Sequence, residues 1–143
     1  MFQFFARRLR SERGFTLIEL LIVVAIIAIL AAILIPNFLR ARAQSQVAAS
    51  KGNMKNIATA LESYFVDNSA YPAQLSDLTT GQAYMRSVPN DPCTNQPYQY
   101  SPLPSSGPYT DYALQTPTAW TSSPCNQVVP GGLTYTPGGG LTP

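Results

Sequence analysis

The sequence predicts an α+β protein, in which a long N-terminal α-helix is followed by a small, loop-rich head with antiparallel β-strands. Three observations predict this fold class. An uncharged apolar run covers residues 20–39, and a helical pattern of apolar residues continues after it. The rest of the chain is rich in Pro, Gly, Ser, Thr and Asn and contains short alternating stretches. The 143 residues leave room for one small domain beside such a helix.

The chain begins with a short basic leader, residues 1–14, which ends in Gly14. The leader carries four arginines and one glutamate, whereas the residues from Phe15 onward carry five basic and six acidic side chains. The sequence after the leader is therefore nearly neutral and predicts no surface for nucleic acid. The leader differs from a secretory signal, because the apolar run is too long and no small-residue cleavage site follows it.

The apolar run makes residues 15–39 a predicted membrane-spanning helix. About 20 residues at about 1.5 Å each span about 30 Å, the thickness of a bilayer's hydrocarbon core. Arginines and lysines lie on both sides of the run, so the positive-inside rule alone leaves its orientation nearly undecided. The short leader and the cysteines described below favour a cytoplasmic leader and an extracytoplasmic remainder.

A second, amphipathic half of the helix is predicted over residues 40–66. Its apolar residues recur at helical spacing and form one stripe: Val47, Met54, Ile57, Ala58, Leu61 and Phe65. Pro36, between the two halves, removes a backbone hydrogen bond and should kink or locally melt the helix. Gly52 is either a second flexible joint or a site of close packing under the head.

The head is predicted to occupy residues 67–129. Asp67 to Pro72 is a helix stop and turn, and two alternating stretches, at 97–101 and 109–114, predict two or three antiparallel strands laid over the helix. The eight tyrosines and Trp120 are expected in the core of this head rather than on an adhesive surface. Residues 130–143 hold five glycines and three prolines and predict a flexible tail.

Two cysteines, Cys93 and Cys125, lie far apart and lack the spacing of a metal or redox motif. In an extracytoplasmic domain they favour one disulfide, which would stabilise the head by about 3–4 kcal/mol. Two buried free thiols are the alternative. The chain has no histidine, no nucleophile with a neighbouring base and no phosphate-binding loop, so the sequence predicts neither an enzyme nor a cofactor or metal site.

The segment from Gly14 to Glu19, GFTLIE, together with the arginine-rich leader and Pro36, resembles the processing region of type IV pilins and of type II secretion pseudopilins. The resemblance covers about residues 7–66. It implies that a prepilin peptidase cuts between Gly14 and Phe15 and that the new Phe15 amine is methylated. It also implies an assembly platform with its ATPase, and self-assembly into a surface pilus or a periplasmic pseudopilus after residence in the inner membrane.

Glu19 acquires a role from this resemblance. A carboxylate in hydrocarbon is costly unless it is paired, and cleavage would create an ammonium group at Phe15, four residues away. The resemblance implies that Glu19 pairs with this amine in its own helix or in a neighbouring subunit during assembly. The alternative is a carboxylate that reaches the membrane interface and favours the helix N-terminus.

The leading function is therefore a pilin, a structural filament subunit, and the second is a pseudopilin that drives protein export. The head residues 68–72, 84–92 and 98–100 are similar to the major pseudopilin. Such proteins usually carry an acid-rich calcium site near the C-terminus, but no acidic residue follows Asp111 here. A single-span anchor with a monomeric binding head is the alternative from another class, and it would not need Gly14 and Glu19 together.

Overall fold

The computed structural model describes residues 14–81 and 83–143. The predicted leader lies outside the described residues except for Gly14. The chain divides after Asn37 into two units. Within the described residues the elements are, in order, α1 (Leu17–Asn68), β1 (Gln99–Leu103), β2 (Asp111–Gln115), β3 (Thr134–Thr136) and β4 (Gly140–Thr142), with short 3₁₀ helices at Leu75–Thr79, Thr118–Ser122 and Pro124–Gln127. This is the predicted α+β fold.

Helix α1 covers both predicted helical segments except Phe15 and Thr16, and it ends within the predicted stop. Ser69, the first residue beyond the helix, adopts a left-handed conformation with φ of 56°, and its amide donates to the Phe65 carbonyl at 2.8 Å. This is a common way to end an α-helix, because it satisfies a carbonyl of the last turn. Pro72 follows shortly afterwards and cannot continue the helix.

The head-bearing unit, residues 38–143, has one core beneath the amphipathic part of α1. The buried helix residues follow the predicted stripe closely: Ala43, Val47, Ser50, Met54, Ile57, Ala58, Ala60 and Leu61. Five of them, Val47, Met54, Ile57, Ala60 and Leu61, share a hydrophobic cluster with residues outside the helix: Tyr71, Leu78, Tyr98, Tyr112, Leu114, Trp120, Cys125 and Leu133. Burial of this apolar surface is the main source of the head's stability.

The strands form one antiparallel sheet in the order β1-β2-β3-β4, so each strand pairs with its predecessor and β1 and β4 lie at the edges. The first pair runs from Gln99 opposite Gln115 to Leu103 opposite Asp111. Strands β1 and β2 overlap the stretches predicted at 97–101 and 109–114, and each strand begins two residues later than the start of its predicted stretch. Strand β2 places Tyr112 and Leu114 in the core and exposes Asp111 and Gln115.

Residues 130–143 differ from the flexible tail that their composition predicted. They contain β3 and β4, and Leu133 is buried. The glycines serve the turns, because Gly131, Gly132 and Gly140 have positive φ angles of 83°, 94° and 67°. A composition rich in Gly and Pro therefore marks tight turns here, with apolar residues between them that complete the sheet.

Gly52 also differs from one of its two predicted roles. It is exposed, and a Cβ atom built on it would meet nothing within 4 Å. The prediction that Gly52 allows close packing under the head is therefore wrong within the subunit. The prediction that Gly52 is a flexible joint stays a prediction.

Candidate functional site at the N-terminal end of the helix

The predicted processing point lies just before α1. Phe15 is 83% exposed, and a Cβ atom on Gly14 would meet nothing within 4 Å. The described part of this segment therefore leaves the Gly14–Phe15 peptide bond open to an approaching protease. Cleavage and methylation there stay predictions.

Thr16 and Glu19 form a reciprocal cap at the start of α1. The Thr16 hydroxyl accepts a hydrogen bond from the Glu19 amide at 3.3 Å, and Glu19 Oε2 accepts from the Thr16 amide at 2.8 Å and from the Thr16 hydroxyl at 2.6 Å. This arrangement is a capping box, which satisfies amide groups that the first helical turn leaves without partners. The sequence signal was present as Thr-x-x-Glu, and sequence reasoning overlooked Thr16.

The cap bears on the predicted role of Glu19, because in the uncut chain its carboxylate already has partners in its own helix. After cleavage, the ammonium group of Phe15 would lie directly before Thr16, whose amide contacts that carboxylate. Glu19 is therefore close in sequence and in space to the site of the new charge. Its pairing with the amine, within one subunit or between two, stays a prediction.

The apolar half of α1 is exposed among the described residues. In the most hydrophobic 18-residue window, mean hydropathy is 3.3 and none of the residues is buried among the described parts of the chain. The large side chains from Leu17 to Leu39 are between 48% and 83% exposed. By length and composition this helix is apolar enough to cross a membrane.

Pro36 lies inside α1, with helical residues on both sides. Beside it, the Asn37 side-chain amide donates to the Ile33 carbonyl at 3.2 Å, which adds a hydrogen bond in the turn that proline interrupts. The predicted kink at Pro36 stays a prediction.

Cys93 and Cys125 form the predicted disulfide, with Cα atoms 6.1 Å apart and 32 positions apart in sequence. It joins the loop before β1 to the 3₁₀ helix that contains Cys125, which is fully buried. The alternative of two free thiols is wrong.

A buried carboxylate, which sequence reasoning missed, holds the same loop against the helix. Asp91 has no exposed surface. Its Oδ1 accepts from the Ser50 hydroxyl at 2.7 Å, and its Oδ2 accepts from the amides of Cys93 and Thr94 at 3.1 and 3.0 Å and from the Thr94 hydroxyl at 2.9 Å. Tyr98 completes the network, 3.0 Å from the Ser50 hydroxyl. Buried charges persist in proteins when they are hydrogen-bonded in this way.

The tyrosines are largely core residues, as expected. Tyr112 is fully buried, with ring centroids 4.8 Å from Tyr71 and 5.9 Å from Tyr100. Burial is the main cause that raises the pKa of each of these three hydroxyls, and for Tyr71 the hydrogen bond to Glu62 adds to it and brings its pKa to about 12. Trp120 is buried and donates to the Val129 carbonyl at 3.0 Å, so it packs rather than forming a ligand platform.

The calcium site that the resemblance to major pseudopilins implies does not fit the residues present. Among the described residues, no three Asp, Glu, Cys or His side chains lie together as possible ligands. Asp111 is the last acidic residue, and its Oδ1 accepts from the Tyr112 amide. Asp91, the buried carboxylate nearest the disulfide, is occupied by protein donors. Within residues 14–81 and 83–143, the carboxylates therefore do not form the ligand set of a calcium site.

A long helix with an uncovered apolar N-terminal half, a capped start after glycine and a small disulfide-bonded sheet defines a filament subunit of the pilin type. Residues 9–35 match the sequence model of the prokaryotic N-terminal methylation motif, and residues 37–116 match that of type II secretion system (T2SS) protein G. The chain belongs to the protein G family of the type II secretion system, and the resemblance to pilins and pseudopilins is confirmed.

Relatives come from both branches. Type II secretion system core protein G of Pseudomonas aeruginosa is 38% identical over 120 residues, which are 73% of this chain and 84% of that protein. The type IV major pilin protein PilA of Myxococcus xanthus is 56% identical over 60 residues, 42% of this chain and 27% of the pilin. The type IV wide pilus major component PilA4 of Thermus thermophilus is 46% identical over 70 residues, 49% of this chain and 53% of that protein. The match thus spans about a quarter and about half of the two pilins.

Proposed function

We propose that this chain is a structural subunit that is cut between Gly14 and Phe15, methylated at the Phe15 amine, and polymerised through its N-terminal helix into an extracytoplasmic filament. The partners are further copies of the chain, a prepilin peptidase and an assembly platform in the inner membrane. The role is structural, without catalysis by the chain itself.

The uncovered apolar half of α1 carries this proposal. A continuous apolar surface of this length is unstable in water and needs either lipid or other apolar helices around it. Before assembly the bilayer supplies that environment, and after assembly the same segments of neighbouring copies supply it. The segment from Leu20 to Leu34 contains only Leu, Ile, Val and Ala, which suit close helix packing.

Glu19 distinguishes a filament subunit from a plain membrane anchor. The capping box with Thr16 would stabilise the helix of an anchor as well, but a charged carboxylate at the edge of the apolar run opposes its insertion into a membrane. In the filament, this carboxylate would pair with the ammonium group of Phe15. It would then either give up its hydrogen bonds to Thr16 or keep them beside the new ion pair. The pairing would set the position of each entering subunit.

The protein G match favours a secretion pseudopilus as the destination, because it covers all of α1 after Pro36 and the head as far as Thr116, including β1 and β2. A surface pilus is the second candidate. It is favoured by the similarity to the Myxococcus and Thermus pilins and by a disulfide-bonded head whose sequence has no acidic residue after Asp111.

Mass spectrometry of filaments sheared from cells tests the proposal. We expect a chain that begins at Phe15 and carries one added methyl group. In cells without the wild-type protein, Glu19→Ala should give the processed mass but no filaments, whereas the exposed control Gln44→Ala should assemble normally. Normal filaments from Glu19→Ala, or filaments whose chains begin at Met1, would overturn the proposal.

A further inference from the structure

The charged residues of the head-bearing unit are separated along its sequence. The first part of the unit carries only basic charged residues, at Arg40, Arg42, Lys51 and Lys55. The later part carries the acidic residues, Glu62, Asp67, Asp77, Asp91 and Asp111, with Arg86 as its basic residue. Asp91 is an exception, because it is buried against Ser50, but the other charges leave a positive and a negative region on one molecule. Two copies displaced along the helix would bring these regions together.

Lys51, Lys55 and Glu62 share one exposed face of α1. At about 100° per residue around the helix axis, Glu62 lies within about 20° of both Lys51 and Lys55. All three are exposed, off the buried stripe. Lys51 and Lys55 are four positions apart, a spacing at which like charges destabilise an isolated helix. An anion supplied from outside the subunit would remove that penalty.

A hydrogen bond from Tyr71 fixes the orientation of the Glu62 carboxylate. Both of its carboxylate oxygens lie 3.1 Å from the Tyr71 hydroxyl, which donates to them. Tyr71 is itself 6% exposed and packs against Phe65 and Tyr112, with ring centroids 4.6 and 4.8 Å away. The donor is neutral, so the carboxylate is oriented while its negative charge is not balanced by this partner.

We propose that Lys55, assisted by Lys51, pairs with Glu62 of an adjacent copy that is displaced along the helix axis, so that this face of α1 is a contact between subunits. The inference rests on the proposed function, since it names the surface through which the filament's heads recognise one another. The contact is head-to-tail, which generates an open helical polymer rather than a closed dimer.

The order of the charges supports one direction of displacement. In the head-bearing unit, Lys55 precedes Glu62 by seven positions, or about 10 Å of helix. In the N-terminal unit, taken by itself, the proposed Phe15 ammonium precedes Glu19 by four positions, or about 6 Å. Each unit therefore offers a cation on the N-terminal side of an anion.

A charge swap tests the contact in cells that lack the wild-type chain. The variants are Lys55→Glu, Glu62→Lys and the double variant that carries both changes. A fourth variant, Glu62→Gln, removes the charge but keeps an oxygen acceptor for the Tyr71 hydroxyl. Asp67→Lys is the matched control, because Asp67 also accepts a tyrosine hydroxyl, that of Tyr84 at 2.9 Å, but faces about 140° away around the helix. The measurement is the polymerised fraction in sheared filaments, with cleavage and disulfide formation checked for each variant.

We expect each single reversal to lower the polymerised fraction roughly fivefold, the effect of losing one well-placed charge pair per interface. Glu62→Gln should fall between wild type and Glu62→Lys, the double variant should recover to within about twofold of wild type, and Asp67→Lys should assemble normally. Wild-type assembly of the single reversals, or a double variant no better than either, would overturn the contact while leaving the proposed function standing. Failure of the wild-type chain to form filaments would overturn both.

Discussion

Replacing Asp91 by alanine should destabilise the head more than any substitution at the protein's exposed carboxylates. The Asp91 side chain accepts four hydrogen bonds from within the head and has no exposed surface. Alanine would leave the amides of Cys93 and Thr94 without these acceptors in a loop that carries the disulfide. It would also remove the hydrogen bond that this loop accepts from Ser50 on α1.

The expected magnitude follows from these partners. An unsatisfied buried amide costs about 1–3 kcal/mol, and two amides lose their acceptor. The hydroxyls of Ser50 and Thr94 can rotate to other acceptors, so we expect a total loss of about 3–4 kcal/mol. For a domain of about 100 residues this corresponds to a fall of about 15–25 °C in melting temperature.

The assay is thermal unfolding of the oxidised full-length chain in detergent, followed by the fluorescence of Trp120, the single tryptophan, which is 1% exposed. Gln96→Ala, an exposed change in the same loop, is the control and should shift the free energy of unfolding by less than about 0.5 kcal/mol. Ser50→Ala should cost about 1–2 kcal/mol, since three of the four hydrogen bonds remain. If Asp91→Ala melted within about 3 °C of wild type, the buried network would not support the head as described.

Three further predictions concern the same unit. Cys125→Ser should lower the free energy of unfolding by about 3–4 kcal/mol, measured by denaturant titration, and reductant should then have no further effect on that variant. Gly132→Ala should sharply lower the melting temperature, because the added Cβ would collide with the Thr116 hydroxyl and the φ angle of Gly132 is +94°. Gly138→Ala is the control and should not lower it, since a Cβ there would meet nothing within 4 Å. Equal melting temperatures of the two variants would contradict the close approach at Gly132. Burial, followed by the hydrogen bond to a carboxylate, raises the pKa of Tyr71 to about 12, so its contribution to stability is complete below about pH 10 and lost as the pH rises through about 12. Tyr71→Phe should therefore show a smaller decrease in melting temperature over that pH interval than wild type, and an unchanged decrease would argue against it.

The long helix was predictable from sequence because its determinants are local. The apolar run and the stripe from Val47 to Leu61 depend only on residue type and spacing, which an α-helix converts directly into faces. The Thr16–Glu19 cap was equally readable, since its two residues stand at a fixed distance in sequence. It was missed because Glu19 had already received a role in assembly.

The head was less predictable because its determinants are distant in sequence. Asp91 stands in a proline-flanked stretch that is typical of an exposed turn, and its burial depends on Ser50, 41 positions away. The C-terminal strands were missed because glycine and proline composition is shared by flexible tails and by tight turns. The pairing of β3 with β2, in which Tyr135 lies opposite Leu114 and Thr134 opposite Gln115, distinguishes the two cases.

The two edges of the sheet have a consequence for a chain that would be crowded among identical copies. Pro102 lies within edge strand β1 and has no N–H to donate, and the opposite edge, β4, is only three residues long and starts with glycine. Both features discourage a strand of another copy from extending the sheet, which is the usual route to uncontrolled β-aggregation. In the proposed filament, contacts between copies would thereby be left to the helix.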